Sequence, residues 1–341
     1  MRRPRVHVLA LGGTIAMTGT PGAPVTPSRT ADELLAAVPG LDTVADVHAE
    51  QLRQVPSAAL TLSDLLATAA RVTEVLSAGA DAVVVTQGTD AIEETAFVLD
   101  LLLTGQAPVV VTGALRPASA AGADGPANLL AAVQVAAAPR ARGLGVLVVM
   151  DDQVHAAARV RKSRTSSPGA FTSPDTGPLG WVVEGRLDLL TVPAPRRAVP
   201  AVTPADVAAV RVAVLPVLLD DDGGLLDAVV GLDRLDGLVI EALGAGNVPP
   251  RLVPPLTALA ERMPVVLASR TGAGAVHTRT YGYEGGGTGL VEAGLVPAGR
   301  LDAHRARLLL TLLLAAQVPA AELPQWFVQD SAADPAPGVD R

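Results

Sequence analysis

Two glycine-threonine stretches and one lysine carry the residue types in this sequence that could do nucleophilic chemistry. The stretch "LGGTIA" places Thr14 after two glycines, and "TQGTDAIEE" places Thr89 and Asp90 after another glycine. The stretch "RVRKSRTSS" contains Lys162, the only lysine in a chain of 341 residues whose other fixed cations are all arginines. Because cysteine is absent, any nucleophile must be an oxygen or a nitrogen.

A threonine hydroxyl becomes a nucleophile only when a neighbouring group takes its proton. A desolvated lysine amine can accept and return a proton, whereas a guanidinium stays protonated. A nearby carboxylate can then orient the resulting ammonium. Lys162, Thr89 and Asp90 therefore supply a proton-transfer set by residue type. The sequence alone does not place Lys162 beside the other two, and a leftover solvated cation is the alternative interpretation.

The residues around the two threonines also have a local structural interpretation. Gly12 and Gly13 let backbone N–H groups approach a ligand closely, and the stretch lacks the spacing of the common phosphate-binding glycine loops. Asp90 and Glu93 have the spacing of a capping box, which predicts that Asp90 caps the following helix. A helix N-terminus also suits an anionic or polarised substrate group at Thr89. We expect capping and binding to coexist there.

Alternating short and long hydrophobic patterns predict the elements that position these residues. Val-rich runs at 6–11, 81–86, 107–115 and 143–150 are typical of strands buried on both faces of a parallel sheet. Helical patterns lie between them, among them one that begins after Thr30 as N-cap and one that ends near Gly105. This alternation indicates an α/β fold, whose reactive groups gather beyond the carboxyl ends of the strands.

Repeated prolines indicate a boundary between two domains. The predicted scheme is an N-terminal domain over 1–195, a linker over 196–207, a C-terminal domain over 208–330 and a flexible tail over 331–341. In the smaller second domain, "VRVAVLPVLL", "LDGLVIEAL" and "MPVVLASR" are predicted strands, and "PPRLVPPLTALAERM" and "LDAHRARLLLTLLLAAQ" are predicted helices.

Composition argues against several classes of partner. The formal net charge is -8 and aromatic residues make up only 2%, which disfavours nucleic acid. The apolar run at the N-terminus is broken by Gly12, and no stretch is long enough for a membrane span, so we expect a cytoplasmic protein. Metal-ligand spacing is missing, and we expect no metal site. The histidines are widely scattered: His7, His48, His155, His277 and His304.

Five segments resemble, in order and over nearly the whole chain, the bacterial L-asparaginase family. They are "LGGTIA", "TQGTDAIEETAFVLDLLL", "PVVVTGALRPASAAGADGPANLLAAV", "RGLGVLVVMDDQVHAAARVRKSRTSSPGAFTSPDTGPLGWV" and "EALGAGNVP". The resemblance implies a larger flavodoxin-like parallel-sheet domain followed by a smaller α/β domain. It also implies hydrolysis of L-asparagine to L-aspartate and ammonia without a cofactor.

The resemblance assigns roles to the residues that match the family's motifs. Thr14 matches the nucleophile that forms an acyl-enzyme. Thr89, Asp90 and Lys162 match the second triad, which relays protons. The family leaves open which threonine attacks, and the resemblance implies that both threonines belong to the site.

Substrate binding is implied at a second group of positions. Ser57 matches a residue that contacts the α-carboxylate of the substrate, and Thr89 and Asp90 also belong to the substrate site. Ala114 matches a position whose backbone carbonyl receives the substrate amide. Asn247 matches an asparagine that reaches the site from a neighbouring subunit, so the resemblance implies a homotetramer built as a dimer of dimers.

Two positions depart from the family pattern. Ala58 stands where many members have a glutamine, and the loop 17–30 has no tyrosine where well-studied secreted members place one. Loss of a buried hydrogen-bond partner typically costs about 1 to 3 kcal/mol, or about one to two orders of magnitude in the substrate constant. We expect one of Tyr281, Tyr283 and Glu284 to replace a missing contact; the alternative is that they belong to a Gly-rich surface loop.

Two other functions stay open from the sequence. One is an amidohydrolase acting on another amide, such as glutamine, D-asparagine or, against the acidic charge of the chain, the glutaminyl group of a charged tRNA. The other is an amino-acid-binding regulator with weakened catalysis. Release of ammonia from a panel of amides separates these alternatives.

Overall fold

The computed structural model describes residues 2–18, 26–27, 30–195, 197–232 and 234–327. Much of the loop 17–30, including 19–25 and 28–29, and the whole predicted tail 331–341 therefore lie outside the described residues. The chain forms two compact units that divide between Ala198 and Val199. The residue bounds proposed above for the domains, linker and tail stay predictions.

The first unit contains a long series of strands interleaved with five described helices. The strands are β1 (Arg5–Ala10), β2 (Met17–Thr18), β3 (Thr26–Pro27), β4 (Asp46–Gln51), β5 (Ala82–Thr86), β6 (Val109–Thr112), β7 (Val146–Met150), β8 (Gln153–Ala156), β9 (Arg161–Lys162), β10 (Phe171–Thr172), β11 (Gly180–Val183) and β12 (Arg186–Leu189). The helices are α1 (Ala31–Ala36), α2 (Leu41–Val44), α3 (Leu62–Ser77), α4 (Ile92–Leu102) and α5 (Gly125–Ala137).

The main sheet has the order β12-β11-β8-β7-β6-β5-β1-β4. Its five parallel strands follow the order second, first, third, fourth, fifth along the chain, which is the flavodoxin-like order. The predicted parallel sheet is thus confirmed. The antiparallel strands β8, β11 and β12 extend it and were not predicted, because short strands joined by tight turns lack the long Val-rich signal.

Both faces of the parallel sheet are buried, which explains its continuous runs of valine. Side chains alternate along β5: Val84 packs into the core formed with α1, α2 and α5, and Val83 and Val85 pack into the core formed with α3 and α4. The start of α1 is as predicted, since Thr30 is its N-cap and forms a capping box with Glu33. The helix ends at Ala36.

The second unit is a smaller α/β layer with a four-stranded parallel sheet in the order β13-β14-β15-β16. The strands are β13 (Val212–Pro216), β14 (Gly237–Ala242), β15 (Val265–Ser269) and β16 (Val296–Pro297), and the helices are α6 (Pro204–Ala209), α7 (Gly224–Val230), α8 (Val253–Ala260), α9 (Gly287–Glu292), α10 (Ala303–Ala315) and α11 (Pro324–Phe327). Strands β13 to β15 and helices α8 and α10 agree with the predicted elements. Among the described residues, no helix combines the length and apolar character needed to cross a membrane.

Candidate active site

The candidate active site lies at the carboxyl ends of neighbouring parallel strands in the first unit. Thr14 follows β1, Ser57 follows β4, Thr89 follows β5 and Ala114 follows β6. Parallel strands end at the same edge of a sheet, so the sheet gathers segments that are far apart in sequence. This is the edge that the sequence predicted for the two glycine-threonine stretches.

The two glycine-threonine stretches contact each other through their glycines. Gly12 and Gly13 have φ angles of 105° and 85°, which favour glycine, and Thr14 begins the 3-10 turn that follows. A Cβ atom on Gly13 would lie 2.0 Å from the backbone nitrogen of Gly88. Thr14 and Thr89 therefore each follow one of two glycines that are packed backbone to backbone.

Lys162 lies beside Thr89 and Asp90, which the sequence alone did not establish. Its Nζ donates a hydrogen bond to Thr89 Oγ1 at 2.9 Å and another to Asp90 Oδ1 at 2.6 Å. The Thr89 residue is buried, and the lysine side chain is 14% exposed, whereas the Asp90 side chain is 71% exposed. The ammonium thus connects a buried hydroxyl to a carboxylate at the solvent edge.

The predicted capping box at Asp90 and Glu93 is wrong. Asp90 lies within a 3-10 turn over Thr89–Ala91, so the N-cap of α4 is Ala91, which makes no side-chain cap bond. The Asp90 carboxylate binds the Lys162 ammonium instead, and Glu93 Oε2 accepts a hydrogen bond from the Lys162 backbone N–H at 3.0 Å. A partner distant in sequence therefore replaces the local cap.

The predicted substrate-binding residues of the first unit lie close to this centre. Ser57 is buried, and its Oγ accepts a hydrogen bond from the Asp90 backbone N–H at 3.2 Å. A Cβ atom on Gly88 would lie 2.8 Å from the same Oγ, so Ser57 packs directly against the second glycine-threonine stretch. Ala58 is exposed, and Ala114 is fully buried after β6.

A buried polar pair that the sequence analysis missed holds the turn containing Ala114. The Asp124 carboxylate accepts hydrogen bonds from the backbone N–H groups of Leu115 at 2.9 Å and Arg116 at 2.8 Å. Asn128 Nδ2 donates to the carbonyl of Gly113 at 3.0 Å. An Asp before Gly-Pro suggests a helix cap, but Asp124 makes no such bond at the start of α5. Its position in the sequence gave no signal for the turn that it binds.

The hairpin that carries Lys162 is supported by a second missed pair. Lys162 in β9 pairs with Phe171 in β10, and Ser173 follows that strand. Ser173 Oγ lies 2.9 Å from Nδ1 of His155, and both residues are buried. Burial lowers the pKa of His155 to about 4, so its imidazole is neutral at physiological pH.

The charged groups around Lys162 are its own ammonium and two carboxylates. Lys162 lies between Asp90 at its ammonium and Glu93 at its backbone nitrogen. In the part of the chain that the structure describes, no group of three or more His, Cys, Asp or Glu side chains could hold a metal ion. The arrangement can orient a hydroxyl and move its proton.

The remaining predicted site residues lie in the second unit. Asn247 forms a tight turn, and its Oδ1 is buried without a hydrogen-bond partner among the described residues. Tyr281 stacks on His277 with ring centroids 5.8 Å apart and lies 5.7 Å from the ring of Tyr283. Glu284 is exposed in the same loop. The roles expected for these residues stay predictions.

Comparisons with known proteins agree with the site and with both units. The family model "Asparaginase, N-terminal" matches residues 5–194, and "Glutaminase/Asparaginase C-terminal domain" matches residues 211–327. A probable L-asparaginase of Deinococcus radiodurans is 41% identical over 332 residues, covering 96% of this chain and 98% of the relative. L-asparaginase 2 of Escherichia coli K12 is 33% identical over 341 residues, covering 96% and 93%.

A solved structure gives the same result at the level of the fold. The crystal structure of a probable cytoplasmic L-asparaginase from Campylobacter jejuni matches with a TM-score of 0.85 and 29% identity. The match covers 96% of this chain and 100% of that chain. The resemblance inferred from the motifs is confirmed, and the chain belongs to the asparaginase family.

Proposed function

We propose that this protein is an L-asparaginase that hydrolyses the side-chain amide of L-asparagine to L-aspartate and ammonia. The contact of Lys162 with Thr89 and Asp90, at the sheet edge that also holds Thr14, carries the proposal. Two relatives named as L-asparaginases, at 41% and 33% identity over nearly the whole chain, support the choice of substrate.

The proposed reaction proceeds in two acyl-transfer steps. The Thr14 hydroxyl oxygen attacks the amide carbon of the substrate while its proton passes to a base in the site. The resulting tetrahedral intermediate collapses, the C–N bond breaks, and the leaving nitrogen takes a proton and departs as ammonia. Water then attacks the ester on Thr14, and loss of the threonine oxygen as leaving group releases L-aspartate and restores the hydroxyl.

Backbone groups of the site stabilise the oxyanion in this reaction, and side-chain groups transfer protons. N–H groups of the turn at Gly12 and Gly13 and of the Thr89 segment stabilise the oxyanion, each contributing on the order of 3 kcal/mol. Thr89 and Lys162 relay protons, and Asp90 orients the ammonium from the solvent side. The 2.9 Å and 2.6 Å bonds of Lys162 are already short enough for this relay.

Recognition of the amino-acid end of the substrate falls to Ser57 and Asp90. Ser57 Oγ is already bonded to the Asp90 backbone, which holds the two residues together before substrate binds. Their hydroxyl and carboxylate suit the α-carboxylate and α-ammonium of the substrate, respectively, and the Ala114 carbonyl accepts from the substrate amide. The Ala58 side chain supplies no polar contact, which predicts weaker binding of the α-ammonium group of the substrate.

Ammonia release from L-asparagine by the purified protein tests the proposal. We expect Thr14→Ala and Lys162→Met each to lower kcat by about three orders of magnitude or more, since each removes a group required in the acyl-transfer steps. The control is Glu74→Ala, which removes an exposed carboxylate bonded to Arg71 on α3. A wild-type protein that binds aspartate but releases no ammonia would show a regulator instead.

Glutamine is the second candidate substrate, because the matching C-terminal family model is described as both glutaminase and asparaginase. A panel of L-asparagine, D-asparagine and L-glutamine should give the highest kcat/KM for L-asparagine. A higher kcat/KM for glutamine would reassign the enzyme as a glutaminase.

We also propose a cytoplasmic homo-oligomer, built as a dimer of dimers in which Asn247 reaches a neighbouring site. Exposed leucines of the second unit support an interface there: Leu218, Leu219 and Leu225 are 59%, 89% and 60% exposed. The description of the Campylobacter jejuni neighbour as cytoplasmic supports the location. Sedimentation should give four times the 34.5 kDa chain mass, and a monomer would contradict the assembly.

One of Tyr281, Tyr283 and Glu284 is proposed to replace a contact that the departures from the family pattern remove. The two tyrosines, whose rings lie next to each other, carry hydroxyl groups, and Glu284 carries an exposed carboxylate; each of these groups can form a hydrogen bond to the substrate. Tyr281→Phe, Tyr283→Phe or Glu284→Gln should raise KM for L-asparagine. Three variants with unchanged kcat and KM would refute this role.

A further inference from the structure

Glu93 connects the two segments of the site that meet at the lysine ammonium. It lies in the first turn of α4, directly after the 3-10 turn that carries Thr89 and Asp90. Its Oε2 accepts a hydrogen bond from the backbone N–H of Lys162 at 3.0 Å. Lys162 is thus held at both ends by one short stretch of chain, at Nζ by Thr89 and Asp90 and at its backbone nitrogen by Glu93.

The contact of Glu93 with the Lys162 backbone fixes the position of that backbone, which the contacts at the ammonium do not. A lysine side chain is a flexible four-carbon stem, so bonds at Nζ alone leave its backbone free to occupy many positions. Strand β9 has only two residues, Arg161–Lys162, and its described partner is the equally short β10. An isolated two-stranded pair is marginally stable in water, so the position of this hairpin depends on its contacts with the rest of the unit. The buried Phe171 and the pair of His155 and Ser173 hold the β10 side, and Glu93 bonds the backbone of β9 at Lys162 itself.

We propose that Glu93 is a positioning residue for the reaction, acting through Lys162. It fixes the distance between the hairpin and α4, so that the ammonium stays within reach of the Thr89 hydroxyl. This inference rests on the proposed amidohydrolase function. A hydrogen bond from a backbone N–H to a carboxylate is among the stronger kinds, which suits such a role.

The role requires an acceptor oxygen at the right distance rather than a negative charge. Glutamine keeps an amide oxygen at the same reach, so Glu93→Gln should preserve the positioning. Aspartate keeps the charge but is one methylene shorter, so Glu93→Asp should lose it. Alanine loses both features.

The chain offers a matched control on the same helix. Asp100 lies near the other end of α4, and its Oδ1 accepts a hydrogen bond from the backbone N–H of Val146 at 2.7 Å. That bond also joins a carboxylate on α4 to a distant strand, but at the edge of the sheet away from the site. Asp100→Ala therefore reports what loss of such a bond does to the fold alone.

Steady-state kinetics with L-asparagine test the inference. We expect Glu93→Ala and Glu93→Asp to lower kcat by about 10- to 100-fold, as for a small misplacement of a reacting group, with KM changed less than about threefold. Glu93→Gln and Asp100→Ala should keep kcat within about threefold of the wild type. Combined with Lys162→Met, Glu93→Ala should lower kcat by less than about twofold further, because both act through the same ammonium.

A measurement that needs no activity accompanies the kinetics. Hydrogen exchange of the Lys162 amide should be faster in Glu93→Ala than in the wild type and normal in Glu93→Gln. Thermal unfolding checks that each variant is folded. If Glu93→Ala does not fold, the comparison of Glu93→Asp with Glu93→Gln tests the positioning role instead.

The outcomes separate this inference from the proposed function. A wild type that hydrolyses none of the amides overturns the function itself. An active wild type whose Glu93→Ala and Glu93→Asp variants behave like Asp100→Ala overturns only the role of Glu93. If Glu93→Gln is as impaired as Glu93→Ala, the negative charge matters and the positioning role is wrong.

Discussion

Lys162 gives the site its chemical character at the scale of single residues. Its Nζ bonds the Thr89 hydroxyl at 2.9 Å and the Asp90 carboxylate at 2.6 Å. An arginine at this position could keep the ion pair with Asp90. It could not exchange a proton with a hydroxyl, because the guanidinium stays protonated in proteins. The proposed proton relay therefore accounts for a lysine at this one position of a chain that otherwise uses arginine.

Replacement of Lys162 by arginine tests that explanation. We expect Lys162→Arg to lower kcat for L-asparagine by about 100-fold or more, because charge is retained while proton transfer is lost. Ammonia release under saturating substrate measures the effect. The matched control is the reverse exchange at an exposed neighbour, Arg164→Lys, which should leave kcat within about twofold. Normal turnover in Lys162→Arg would show that only the charge is used.

At the scale of elements, the contact between two glycine turns determines where the two threonines of the site lie. The turn after β1 and the turn after β5 approach so closely that Gly13 leaves no space for a Cβ atom beside Gly88. The positive φ of Gly13 adds a second reason for glycine. The positions of Thr14 and Thr89 both depend on this one contact.

Gly13→Ala should therefore damage the site far more than an ordinary glycine substitution. The new Cβ would lie 2.0 Å from Gly88 N, so one of the two turns must move. Gly177→Ala is the control, since Gly177 has a φ of 70° and no atom within 4 Å of an added Cβ. Gly177→Ala costs about 1 to 2 kcal/mol of backbone strain. Gly13→Ala costs more, because a φ of 85° combined with a ψ of -174° is adopted almost only by glycine. Only Gly13→Ala should also lower kcat, by about 100-fold, measured by ammonia release; equal kcat values would contradict the argument.

At the scale of the whole molecule, the buried pair of His155 and Ser173 connects the fold to pH. Burial lowers the pKa of His155 to about 4, so folding favours the neutral imidazole. Because the pKa in the folded state is lowered, the stabilisation is complete above the unfolded value near 6.5. It is lost as pH falls from about 6.5 towards 4.

The contribution of His155 can be measured as a difference between two proteins. We expect the free energy of unfolding of the wild type to fall by about 2 kcal/mol more than that of His155→Gln between pH 7 and pH 5. Urea unfolding at both pH values supplies the measurement. Carboxylates with lowered pKa values, such as Glu50, contribute equally to both proteins and cancel. An identical pH dependence in the two proteins would mean that His155 is not buried neutral.

Local patterns by themselves determined the class of fold and the chemical types at the site. The runs of valine predicted β1, β5, β6 and β7, because a strand buried on both faces must be apolar at every position. The placement of Thr14 and Thr89 at strand ends followed from the same patterns, since α/β sheets bind at the carboxyl edge.

Tertiary structure decided which partners those residues take. The spacing of Asp90 and Glu93 predicted a helix cap, but both bind Lys162, about 70 residues along the chain. Asp124 likewise binds the backbone of Leu115 and Arg116 instead of capping α5, and Asn128 in the first turns of that helix binds the carbonyl of Gly113. A polar side chain bonds whichever group the packed core brings within 3 Å, and local spacing carries no record of partners that arrive from distant segments.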